Sequence, residues 1–189
     1  RFLRGAVGML YVNTTTSSRA SSLESQMNED AALALELLQQ QIQLAGYSSV
    51  NNAGQRAFAG RAVHGCDGPF VNGSSNFNAL TCNVGVANGA SDELAVRYEA
   101  SALNSQTVAG GAPANCAYEG IAAWDAFTPP NSEGAASATP MILADNRYYV
   151  ANDANGVPSL FCRGRTGAAF GNATALIPNV ENMQIQYAV

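Results

Sequence analysis

Residues 27–47 read MNEDAALALELLQQQIQLAGY, a run built almost wholly of Leu, Ala, Gln and Glu, all strong helix formers. Working outward, residues 6–45 hold no proline and one glycine, Gly8, so a single long helix is expected there. Leu23, Met27, Ala31, Leu35, Leu38 and Ile42 recur at steps of three and four and form one apolar stripe, which Leu33, Leu37 and Leu44 widen. Glu24, Asn28, Glu29, Glu36, Gln39, Gln40 and Gln43 make the wet side. Gly46 stands where a left-handed C-cap belongs and should end the helix. Residues 11–20, YVNTTTSSRA, lack an apolar stripe and must be held by their flanks or by neighbouring subunits.

Past Gly46 the periodicity changes. Residues 48–90 are mostly Gly, Asn, Ser and Ala and read as loop. In residues 93–100, ELAVRYEA, the positions Leu94, Val96 and Tyr98 share one parity, and Ala95, Arg97 and Glu99 the other, a half-buried strand. Residues 101–120 read as loop again, and residues 129–140 as a small-residue connector to an apolar run beginning at Met141, Ile142 and Leu143. The stretches 147–151 and 157–162 flank Asp153–Ala154–Asn155–Gly156, whose Asn-Gly pair supplies the positive backbone angles of a tight hairpin turn. Pro158 lacks an N–H and should open a strand or lie on an edge. A last strand is expected over residues 183–189, with Met183, Ile185 and Tyr187 alternating against glutamines. The pattern gives an α+β fold, with the stripe from Leu23 to Ile42 laid on an antiparallel sheet. Residues 1–46 form the helix and residues 47–189 a β-rich head with long disulfide-stapled loops.

Composition limits the chemistry. Lysine is absent, so all nine basic residues are arginines, and against fourteen acidic residues they leave a net charge of −5. Nucleic acid and anionic membrane surfaces need clustered positive charge, which the sequence does not offer. The one histidine, His64, sits beside a cysteine in AVHGCDG and is the sole candidate base for a Ser–His or Cys–His device; a structural or exposed role fits it better. Asp67, Asp92, Glu93, Asp125, Asp145 and Asp153 could in principle supply a paired-carboxylate glycosidase, but no spacing selects a pair, and solvated or turn-capping carboxylates are the simpler reading. No catalytic, cofactor-binding or metal residue is therefore assigned, and no cofactor is expected. Residues 2–12, FLRGAVGMLYV, are about half the roughly 20 residues a spanning helix needs. They read as an amphipathic start or as the tail of a longer membrane segment.

Cys66, Cys82, Cys116 and Cys162 form an even set without a Cys-x-x-Cys pair, which points to two disulfides and an oxidising compartment. They can pair in three ways. Loop closure favours Cys66 with Cys82, whose intervening GPFVNGSSNFNALT has little else to order it, leaving Cys116 with Cys162.

Several of these pieces together resemble one family. MNEDAALALELLQQQIQLAGY looks like the end of the N-terminal helix of PilW-type minor pilins of Gram-negative type IV pili. Gly65-Cys66-Asp67-Gly68, DELAVRYEA, NRYYVAND, SLFCRG and the closing LIPNVENMQIQYAV follow in the order expected of that family. The resemblance implies a pilin-like fold and a non-enzymatic subunit, processed at the inner membrane and periplasm, then placed in a priming and tip complex of the extracellular pilus. Its implied partners are other minor pilins and the major pilin, with a tip adhesin as a further candidate and the inner membrane reached through a preceding segment. The expected subunit-facing residues are Phe2, Leu3, Val7, Met9, Leu10, Tyr11 and Val12. The family's wholly apolar helix start and its glutamate do not occur in residues 1–12, so the resemblance places them upstream of Arg1. Two other readings fit the same residues: a pseudopilin of a type II secretion system, and a free extracellular binding domain or carbohydrate-active enzyme that uses the Gly/Asn-rich loops.

Overall fold

A computed structural model describes residues 2–50, 54, 56, 61–86, 89–123 and 142–186, giving the helical backbone alone for residues 2–20. One helix, α1 (Phe2–Leu44), precedes five strands: β1 (Val63–Cys66), β2 (Glu93–Glu99), β3 (Leu143–Asn152), β4 (Pro158–Arg165) and β5 (Phe170–Pro178). The strands form one antiparallel sheet in chain order, β1-β2-β3-β4-β5. The α+β expectation holds in this sense. Gly46 takes φ 74° and ends α1 as expected, its N–H donating to the Arg97 carbonyl at 2.9 Å. The hairpin forms as read, and Pro158 opens β4, where no ladder N–H is needed.

The stripe meets the sheet differently from the expectation. Ala34 is buried, and Leu37, Leu38, Leu44 and Ala45 pack half-buried beside it against Leu94, Val96, Tyr98, Tyr148, Leu160 and Cys162. Leu23, Met27, Leu33, Leu35 and Ile42 are 46–69% exposed. Two causes act. Small Ala34 sets the close approach, which turns Leu33, Leu35 and Ile42 to the flanks. Leu23 and Met27 lie eleven and seven residues before Ala34, on its face of the helix, but that is about 10–16 Å farther along the axis, where Met27 faces Leu160 and Val180 only across an open groove.

Strand β2 is buried on both faces, correcting the half-buried reading: Ala95 and Arg97 are 0% and 3% exposed on the side away from α1. Residues 67–82 fold back over that side, carrying Phe70, Phe77 and Leu80 onto Cys66 and Ala95. Short β1 lies within the stretch expected to be loop. Strand β5 was not expected, because its middle is exposed Asn, Ala and Thr with no alternation, and two register irregularities interrupt its pairing with β4. The last strand does not form over residues 183–186. Met183 does turn inward, 8% exposed, but the segment is fastened at single points, with its carbonyl accepting from the Asp92 N–H at 2.8 Å and the Ile185 N–H donating to the Asp92 carboxylate at 2.6 Å. Residues 187–189 and the connector 129–140 lie outside the described residues.

Candidate assembly surface

Cys66 is bonded to Cys82 and Cys116 to Cys162, the pairing that loop closure favoured, with Cα–Cα distances of 5.3 and 6.0 Å. The first bond fixes residues 67–82 on the sheet face away from α1. The second ties residues 115–119 to β4 on the helix side, where Gly164 leaves room for the Asn115 side chain.

Under residues 67–82 lies a cluster that sequence reasoning missed. Asp145, 1% exposed, accepts two bonds from Arg147 at 2.7 and 2.9 Å and has Arg165 Nε at 3.6 Å, while Arg97 stands opposite it in the β2–β3 register. The Phe77 ring lies 4.0 Å from the Arg97 guanidinium and 5.1 Å from that of Arg147; Phe170 lies 4.4 Å from that of Arg165. These arginines, with Arg163, hold the loop: Arg97 donates to Asn78, Arg147 to the Ser75 carbonyl, Arg163 to Ser74 and Arg165 to Asn76. Burial pushes the Arg97 guanidinium down to about 10, opposed by Asp145 and reinforced by Arg147, Arg165 and Arg61. The signal for this cluster was in the composition. A guanidinium keeps its charge when buried and stacks on rings, which an ammonium does less well, and this chain has arginine only.

His64, Asp92, Glu93, Asp145 and Asp153 are engaged in structural contacts. His64, on β1, lies edge-on to Phe70 at 5.5 Å with Nδ1 3.0 Å from an Arg61 nitrogen. Burial, then Arg61 and Arg147, lower its pKa from 6.5. Its ring nitrogen and the two sulfurs of Cys66 and Cys82 lie within 4.8 Å of one another, but both sulfurs are spent in the disulfide, which leaves too few donors for a zinc site. Asp145 and Asp92 are not solvated loop carboxylates. The first is the buried counter-charge, and the second, 3% exposed, joins Gly68 to Ile185 through two N–H bonds. Asp153 caps the hairpin turn, accepting from the Asn155 and Val157 N–H groups at 2.8 and 2.9 Å, and these bonds lower its pKa. Glu93 accepts from the Phe70 N–H at 2.8 Å. Asp67 is exposed, and Asp125 lies outside the described residues.

One surface left open among the described residues is largely apolar. Between α1 and residues 179–184 runs a groove of about 430 Å³ lined by Met27, Ala31, Leu35 and Leu38 on the helix and by Leu160, Val180 and Met183 below it. It continues the exposed stripe of Leu23 and Met27 into the head. Exposed apolar surface contiguous over several residues marks an interaction surface more often than a solvent face. The side chains of Phe2, Leu3, Val7, Met9, Leu10, Tyr11 and Val12 lie outside the described residues, on the helix continuing from this stripe. Among the described residues no helix is long and apolar enough to cross a membrane.

The family model for type IV pilus-assembly protein W matches residues 147–189, the stretch that holds most of β3, all of β4 and β5 and the segment lining the groove. No curated protein and no solved structure matches the chain. Over its C-terminal part this chain is similar to type IV pilus-assembly protein W, and the match supports a PilW-type pilus protein with a role in pilus assembly.

Proposed function

We propose that the protein is a minor pilin with a pilin-like fold, a structural subunit of the type IV pilus priming and tip complex that promotes assembly and carries out no reaction of its own. One observation carries this reading. Helix α1 spans about 65 Å at 1.5 Å per residue, and among its described side chains, from Ser21 on, burial on the sheet begins only around Asp30 and Ala34. Among the described side chains, residues 21–29 are exposed to solvent, with Leu23 and Met27 among them, which suits a helix that bundles with those of other minor pilins and the major pilin. Phe2, Leu3, Val7, Met9, Leu10, Tyr11 and Val12 are the residues proposed to meet them. The protein would stand at the inner membrane and periplasm before assembly and in the extracellular pilus afterwards, with the disulfide-stapled loops turned outward.

Leu10→Asp in the protein as the cell makes it tests this reading. Reduced surface piliation at a normal protein level is expected; normal pili in that strain would contradict it. Intact pili with failed export of a secreted enzyme would instead favour a type II secretion pseudopilin.

A further inference from the structure

On the helix side of the sheet, between the last turns of α1 and residues 104–118, lies a cavity of about 250 Å³. Its walls carry amides, hydroxyls and three tyrosines, Tyr98, Tyr118 and Tyr148, with no carboxylate, guanidinium or imidazole among them. Two features exceed what packing requires. Tyr118 holds φ 62°, a left-handed conformation uncommon for a residue with a Cβ, and the residue is nevertheless 61% exposed, so burial does not offset the strain. The turn is over-determined from beneath: Asn115, 6% exposed, accepts from the Ala117 and Glu119 N–H groups at 2.9 and 3.0 Å, and the Tyr118 hydroxyl donates to the Thr107 carbonyl. Strain held in this way collects at ligand sites. Inside, Tyr148 is 0% exposed and its hydroxyl, although near the Asn146 amide, makes no well-formed hydrogen bond. An unmatched buried donor beside a cavity marks a wall that is not fully packed.

We infer that this cavity binds a neutral, hydroxyl-rich molecule of about one ring, a monosaccharide unit. Its volume falls below the roughly 300–1,000 Å³ of sites for drug-sized ligands, which limits the guest to a small one. A lining without charged groups disfavours an ionised guest, whose desolvation nothing would offset. The exposed face of Tyr118 offers a flat apolar surface to the C–H face of a sugar ring, and the amides of Gln40 and Gln106 offer donors and acceptors to its hydroxyls. The walls are pre-formed, since Cys116–Cys162 ties one side to β4 and Asn146 joins the floor to Gln41 at 3.0 Å and to the Cys116 N–H at 3.2 Å.

Amide NMR titration of the 189-residue chain with N-acetylglucosamine, glucose and galactose, and with glucuronate as the charged counterpart, tests this. At least one neutral sugar should shift resonances of residues 37–44 and 104–118 saturably, and glucuronate should not. Tyr118→Gly, which suits the observed φ, should keep the fold and weaken binding by about tenfold or more. Equal binding of glucuronate, unchanged binding by Tyr118→Gly, or no saturable shift with any of the three neutral sugars would overturn the inference, the last leaving only water in the cavity.

Discussion

Gly46 ends α1 at φ 74°, and a Cβ there would stand 3.2 Å from the Ala62 side chain. Gly46→Ala should therefore cost about 1–2 kcal/mol, from the left-handed backbone and the contact together, as read by urea unfolding. Asp145 carries more. Asp145→Asn leaves the guanidiniums of Arg147 and Arg165 without their buried counter-charge and should cost about 3–5 kcal/mol. His64 confers a pH dependence with a definite sign. Its folded pKa lies below 6.5, so the fold prefers the neutral ring. Stability from this residue is complete above pH 6.5, declines as the pH falls through 6.5, and flattens once below the folded pKa. As the lone histidine it should show one imidazole titration with a midpoint under 6.5, and His64→Gln should remove the decline; a midpoint above 6.5 would contradict a ring held neutral by burial beside Arg61.

Along α1 the same kind of side chain has different consequences at neighbouring positions. Ala34→Asp places a charge in the helix–sheet contact and should cost about 3 kcal/mol, whereas Leu35→Asp, 69% exposed, should stay within about 0.5 kcal/mol, as thermal unfolding would show. The two disulfides close loops of 16 and 46 residues, so removing Cys66–Cys82 should cost about 3 kcal/mol and removing Cys116–Cys162 about 4. These elements also mark how far the sequence could be read. The helix, its glycine stop, β2 and the Asn-Gly hairpin rest on local rules and were legible. Which helix face packs was not, because a stripe shows what is apolar and only the sheet's extent shows what is covered. Strand β5, on the sheet edge, has no alternating core face. The Arg97–Asp145–Arg147 cluster was hidden because an alternating arginine reads as wet until residues 67–82 close over it. Of the candidate surface, the apolar residues were legible; the groove beside residues 179–184 depends on a long-range return of the chain.

At the scale of the whole molecule, a stapled head holds one end of a helix and leaves a continuous apolar strip along Leu23, Met27 and the groove. The arginine cluster and both disulfides fasten the head away from the strip, so its stability and its assembly role are separable by mutation. A Leu23→Asp/Met27→Asp variant should unfold within about 0.5 kcal/mol of the unaltered protein, because both side chains are largely in solvent. The most direct measurement is to count surface pili by electron microscopy in a strain whose only copy of this protein carries both changes, at matched protein level. Few or no pili are expected if the strip is the assembly surface; a normal number would contradict that role.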